Sequence, residues 1–236
     1  MIVANSPLHI HLATGLVLFS TSTIKQPPGS IIKCLRMTTL SVDPSLTSLK
    51  GCVNMALSVD GLIAGKDGDM DWLNSQPHVE GGGDMGFADF LAEMEVMIMG
   101  RNTFDTVVGF GKDMWPYGKL PILVWTRNVD NVHMPDWILE KKSVVARSAT
   151  SPKAMLEELE SSGKYTKAYI DGGKTIQSFL QAGLVHELTL TRVPILLGEG
   201  TPLFSGMDSI TRKLKHMSTK SYENGMVTSK YTVVFD

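Results

Sequence analysis

From Gly51 onward, short apolar runs alternate with amphipathic stretches, and this rhythm confines the chain to folds built from βαβ units. The runs are Cys52 to Val59 (CVNMALSV), Val96 to Met99, Pro121 to Trp125 (PILVW), Ser143 to Ala146 (SVVA) and Lys167 to Ile170. Each is too short for a helix, and most lack the polar alternation of a half-exposed strand, so they read as strands buried on both faces. Helices are expected over Phe87 to Met94, Asn102 to Val108, about 152 to 161 and about Thr175 to Ala182. Ser151-Pro152 opens the third with an N-cap serine and a proline at the first helical position, and Gly183 stops the fourth. Glu187 to Val193 (ELTLTRV) alternates as a strand. Two further strands, about Leu214 to Tyr222 and Met226 to Phe235, close the chain around an Asn224-Gly225 hairpin turn. The expected architecture is an α/β fold: a mainly parallel central sheet, helices on both faces, and a C-terminal antiparallel hairpin. No repeat or linker divides residues 51–236, which form one expected domain.

Residues 1–50 differ in character. Lys25, Lys33, Arg36 and Lys50 face only Asp43, and the segment is rich in Ser and Thr. Its apolar run, Leu8 to Phe19, is too short and too polar to span a bilayer. Two readings of this extension stand: an organelle-targeting peptide or leaky signal sequence, or a disordered tail ahead of a start at Met37. The first implies an organelle, the second the cytoplasm. Nothing after residue 50 approaches the length of a membrane span.

Charge narrows the partners. The chain has 22 basic and 24 acidic residues, a net charge of −2, so no clustered positive excess points to nucleic acid. Two cysteines, Cys34 and Cys52, make no disulfide framework, and neither they nor the six histidines have metal-ligand spacing. No metal is expected. The fourteen methionines follow no stripe and read as adaptable core filler.

In an open parallel sheet, ligands bind beyond the carboxyl ends of the strands. Three strand ends carry unusual residues there. Met99-Gly100-Arg101-Asn102-Thr103 puts glycine where a ligand can approach the backbone, free amides at a helix start, and a guanidinium suited to phosphate. Trp125-Thr126-Arg127-Asn128 repeats the theme with a hydroxyl and a second guanidinium. Asp171-Gly172-Gly173-Lys174-Thr175 places glycines at a strand-to-helix junction where a pyrophosphate could rest. Two arginines at neighbouring strand ends favour NADP over NAD. The long glycine-rich stretch from Gly65 to Gly86, with Trp72 and His78 within it, reads as a functional loop.

The stretches MALSVDGLIAG (55–65), DMDWL (69–73), VMIMGRNTF (96–104), ILVWTRN (122–128), AYIDGGKTIQSFL (168–180) and LTLTRVPILLGEGTPLF (188–204), in this order, resemble the dihydrofolate-reductase-like superfamily. The resemblance is to its RibD C-terminal branch, which includes the reductase domain of bacterial riboflavin-biosynthesis deaminase-reductases. It runs from about Val53 to the C-terminus. Nothing resembles the zinc pattern of the accompanying deaminase.

That resemblance implies NADPH as cofactor. It implies backbone contacts from Ala56 and Ala64 to the nicotinamide carboxamide, and contacts from Gly100, Arg101 and Thr103 to the pyrophosphate and 2′-phosphate. Thr126 and Arg127 would flank the adenosine, and Gly172, Gly173, Lys174 and Thr175 would hold the pyrophosphate. Trp72 and Thr191 would lie beside the substrate. The acid that dihydrofolate reductases carry on their first helix has no clean counterpart; Asp89 is the candidate inside the helix, while Asp84 precedes it and suits a cap. The expected activity is hydride transfer to a pyrimidine- or pterin-like heterocycle, such as 5-amino-6-(5-phosphoribosylamino)uracil. Dihydrofolate reduction and cofactor binding without turnover are the alternatives. A small-molecule substrate and a homodimer are the implied partners.

Overall fold

The computed structural model describes residues 48–76, 84–206 and 211–235. Leu8 to Phe19, Met37 and His78 lie outside them, as does part of the glycine-rich stretch. Along the described chain run β1 (Lys50–Ser58), β2 (Leu62–Ala64), α1 (Asp71–Asn74), α2 (Phe87–Ala92), β3 (Val96–Gly100) and α3 (Arg101–Gly109). They are followed by β4 (Ile122–Trp125), α4 (Asp136–Leu139), β5 (Val144–Arg147), α5 (Pro152–Ser161), β6 (Lys167–Asp171) and α6 (Gly173–Gln181). The last elements are β7 (Glu187–Val193), β8 (Thr201–Pro202), β9 (Lys213–Ser221) and β10 (Val227–Val234).

Eight of the strands form one sheet in the order β5-β4-β3-β6-β1-β7-β10-β9. The pairs from β5 through to β7 are parallel, and β10 is antiparallel to both β7 and β9. The mainly parallel sheet and its terminal hairpin are therefore as the sequence rhythm requires. β6 enters late in the chain yet slots between β1 and β3.

Both faces of the parallel part are covered, which explains the unbroken apolar runs. On one face Val53, Val96, Ile98 and Ile170 pack against Met155, Leu156 and Leu159 of α5 and Ile176, Phe179 and Leu180 of α6. On the other, Met97, Met99, Ile122, Val124 and Tyr169 pack against Phe104 of α3, Ile138 of α4 and the aromatic side of α2. α5 starts as expected, with the Ser151 hydroxyl accepting from the Ala154 amide at 3.1 Å. The hairpin turn is closed by the Gly225 amide donating to the Tyr222 carbonyl at 2.9 Å.

Several short elements had no counterpart in the sequence reading. β2 and β8 pair with each other over so few residues that no alternation can develop, and α4 is a single turn. Within the glycine-rich stretch, a 3₁₀ turn (Lys66–Gly68) and α1 give its first half regular structure.

Candidate functional site

The site grows from three neighbouring strand ends. In register, Met99 of β3 lies opposite Asp171 of β6, and Gly100 lies opposite Trp125 of β4. The segments near residues 100, 126 and 172 thus emerge side by side from the carboxyl edge of the sheet, where α/β ligands sit.

Two helices begin at this edge, and neither has a side-chain cap. α3 and α6, each nine residues long, start at Gly100 and Gly172 with no side chain accepting from their first amides. Of the other helices, α5 is capped by Ser151, and at α2 the Asp84 carboxylate receives the amides of Gly86, Phe87 and Ala88, while the single turn α4 has no side-chain cap. Bare helix N-termini carry free N–H donors and the positive end of the dipole, a ready setting for phosphate oxygens.

The glycines make this convergence possible. A Cβ at Gly100 would stand 2.5 Å from Thr175 Oγ1, one at Gly172 would collide with Thr103 Oγ1, and one at Gly173 would come within 2.6 Å of Ile63 Cδ1. Gly172 also has φ +97°, outside the range that other residues adopt comfortably. Thr103 and Thr175, expected as separate phosphate contacts, therefore face each other's glycine across one cradle. Its backbone-lined shape and uncapped amides fit a dinucleotide pyrophosphate.

The basic residues are placed less uniformly. Arg101 is half-buried, its Nε donating to Asp105 at 2.6 and 2.8 Å, so its two Nη groups remain for another acceptor. Arg127 and Lys174 are exposed. Thr126 Oγ1 accepts from the Asn128 amide at 3.2 Å, shaping the turn that carries Arg127.

Ala56 lies on the face of β1 that meets Trp72, opposite Thr191 of β7. Thr191 in turn lies opposite Thr228, their hydroxyls 2.8 Å apart and both buried. Trp72 is buried among Ala56, Val193 and Met226, and its indole Nε1 has no hydrogen-bond partner among the described residues. A buried donor left without an acceptor is unfavourable by about 1–3 kcal/mol. Ala64 ends β2, where Gly200 approaches so closely that a Cβ would strike the Ala64 carbonyl. The loop bearing Gly200 is tied down by Asp60, which receives the Leu197 and Gly198 amides at 3.2 and 2.8 Å.

The carboxylates differ from the sequence expectation. Asp89 is on the exposed side of α2, away from Phe87 and Phe90, which pack on Tyr169. Asp84 is a helix cap. The acid buried at the strand ends is Asp171, which sequence reasoning treated only as the lead-in to two glycines. It is 7% exposed, its Oδ1 receives the Gly172 amide at 2.8 Å, and its Oδ2 receives the Tyr117 hydroxyl at 3.4 Å. Burial raises its pKa to about 6, against the Gly172 amide and the phenol hydroxyls beside it. A carboxyl that titrates near neutrality can hold a proton at working pH. Only the adjacency of Asp171 to the glycine pair was visible beforehand, since Tyr117 is far away in sequence.

Among the described residues no cluster of three or more potential metal ligands occurs, and no helix is long and apolar enough to cross a membrane. Cys52 is buried, and burial followed by Glu187 pushes its thiol up to about 12, which makes it unreactive.

Residues 50–228 match the family model of the RibD C-terminal domain. The protein YwjB of Bacillus subtilis (strain 168) is 30% identical over 174 residues, covering 73% of this chain and 92% of YwjB. A crystal structure from Shewanella sp. PV-4, of a protein assigned to riboflavin biosynthesis, superposes with a TM-score of 0.70 at 32% identity, covering 79% of this chain and 99% of that one. Dihydrofolate reductase from Enterococcus faecalis shares the fold, with a TM-score of 0.51 at 16% identity over 79% of this chain and 96% of its own.

Proposed function

The chain belongs to the RibD C-terminal domain family, and from that premise we propose that it is an NADPH-dependent reductase of a pyrimidine- or pterin-like compound. The observation that carries this reading is the cradle where uncapped α3 and α6 meet across Gly100, Thr103, Gly172 and Thr175. These residues, with Gly173 and Lys174, are suited to the pyrophosphate. Arg101 and Arg127 bring the positive charge that a 2′-phosphate requires, with Thr126 beside the adenosine. Ala56 and Ala64 offer backbone atoms to the nicotinamide carboxamide, and Trp72 and Thr191 border the substrate.

NADPH, when bound, supplies a hydride. Reduction of a C=N group consumes that hydride at carbon and one proton at nitrogen, leaving a C–H and an N–H bond and releasing NADP⁺. The protein's task is orientation, exclusion of water and delivery of the proton. Asp171 is the buried acid positioned to hold that proton.

Assignment of the Shewanella protein to riboflavin biosynthesis favours 5-amino-6-(5-phosphoribosylamino)uracil as the substrate to try first. Dihydrofolate is less favoured, because neither Asp84 nor Asp89 offers a buried acid on α2. The test is NADPH oxidation followed by absorbance, with each compound in turn. Oxidation with the ribosylaminouracil is expected. Oxidation with dihydrofolate alone would move the assignment there, and tight NADPH binding without turnover on either would leave a binding protein.

A further inference from the structure

The sheet face on which α2 and α3 pack is apolar in one half and polar in the other. On β3 and β4 its side chains are Met97, Met99, Ile122 and Val124. Across β1 and β7 the same face carries Asn54 and Thr189, which lie opposite each other in register. Alternation fixes their side. Cys52 packs with Tyr169, Phe87 and Phe90, Ala56 meets Trp72, and Asn54 lies between them, while Val53 and Leu188 belong to the opposite core.

A carboxamide in the middle of a central strand is out of place unless it is paired, because strands are poor in Asn and a buried polar group without a partner is unfavourable. Among the described residues, neither the Asn54 carboxamide nor the Thr189 hydroxyl has a hydrogen-bond partner, although Thr189 is only 8% exposed. In the next row along the strands, Thr191 and Thr228 satisfy each other. The residue that Thr189 meets on β10 is instead Lys230, which is exposed. Asn54 and Thr189 are not sealed in, as Trp72 Nε1 and Trp115 Nε1 are, so a ligand can reach them.

Their surroundings lead to Asp171. Pairing between β1 and β6 stops at Cys52 and Tyr169, although both strands run on. There the Asn54 carbonyl accepts from the Tyr169 hydroxyl at 3.0 Å. Two residues past the last pair, on the same face, stand Asn54 on one strand and Asp171 on the other. The unpartnered amide thus lies at the parting of the strands where the buried acid also lies.

We infer that Asn54 and Thr189 select the substrate by its ring lactam, the adjacent N–H and C=O that a uracil presents. A carboxamide offers one donor and one acceptor side by side, the complement of that edge. The Thr189 hydroxyl rotates to donate or accept at the neighbouring ring position. A carboxylate in place of the carboxamide accepts twice, and suits the two donors of an amidine edge instead. The inference rests on the reading of this cleft as a reductase's substrate site, and it adds groups that recognise the ring to the acid that protonates it.

The experiment is isothermal titration of the full chain with 5,6-diaminouracil and with 2,4,5,6-tetraaminopyrimidine, which has amino groups in place of the two oxo groups, with thermal melting alongside. Wild type should prefer the diaminouracil by about tenfold or more. Asn54→Asp should reverse that preference, and Thr189→Val should weaken the diaminouracil by about 3–10-fold. Because the hydroxyl has no internal partner, Thr189→Val should melt no lower than wild type; a purely structural hydroxyl would lower the melting temperature and leave affinity unchanged. Equal affinity of wild type for the two compounds, or the wild-type preference kept in Asn54→Asp, overturns the inference. Should Asn54→Asp not fold, Thr189→Val decides, and unchanged affinity there overturns it. The titration needs no cofactor, so a reversed preference in a chain that does not bind NADPH would overturn the reductase reading alone.

Discussion

A methyl group at Gly100 would lie 2.5 Å from the Thr175 hydroxyl oxygen, so the end of β3 and the start of α6 leave each other no spare room. Gly100→Ala should therefore push the two helix starts apart and weaken NADPH binding by tenfold or more, about 1.4 kcal/mol. Thr175→Ala removes the opposing oxygen, and combining the two should recover part of the affinity. Fluorescence titration of the two single variants and the double variant checks this coupling. Simple additivity would show that the two sites do not share a cradle.

The arginines predict cofactor choice. With Arg101→Ala and Arg127→Ala combined, NADPH affinity should fall by about 10²–10⁴-fold, from loss of two charge-assisted bonds of about 1.5–3 kcal/mol each. NADH affinity should change far less. Equal losses for both cofactors would exclude these residues as the 2′-phosphate site.

Asp171 predicts a pH-dependent trade between stability and activity. Its folded pKa of about 6 lies above the ordinary aspartate value of 3.8, so the native state binds more protons than the unfolded state between those values. Stability therefore falls as pH rises through this window. The ionised group is unfavourable by roughly 3 kcal/mol above it, and that burden is absent below pH 3.8. Asp171→Asn should melt higher than wild type at pH 8 and lose that advantage near pH 4, as read by calorimetry. Its turnover should fall by about 10²–10⁴-fold if it supplies the proton.

The acids of α2 provide the contrast. Asp89→Asn should leave turnover within about twofold, because the residue is exposed. Asp84→Ala should lower stability by about 1 kcal/mol through loss of the helix cap, with turnover retained. A large loss of activity in Asp89→Asn would return the catalytic role to α2.

Much of this site was legible before any coordinates. The strand ends at Gly100, Trp125 and Asp171 follow from apolar runs of strand length ended by glycine or a polar turn, whereas the place of β6 beside β3 emerges only from the strand pairing. Close approach was readable too, since glycine at a strand-to-helix junction has few other uses. The role of Asp171 was not legible, because what distinguishes it from an ordinary turn aspartate is burial beside Tyr117, 54 residues away. Nor was the Arg101–Asp105 pair weighed, although its i,i+4 spacing on a helix was open to inspection. β2 and β8 were hidden for another reason: they exist only through pairing with each other, across a long stretch of chain.

The late insertion of β6 between β1 and β3 has a consequence for biogenesis. α3 is complete by Gly109, but its counterpart α6 ends at Gln181, so a chain emerging from the ribosome cannot present both halves of the nucleotide grip until most of its length is made. Capture of the proposed dinucleotide would then report that β6 has paired with β1 and β3. By mass action it would also stabilise the folded chain against re-opening at that seam.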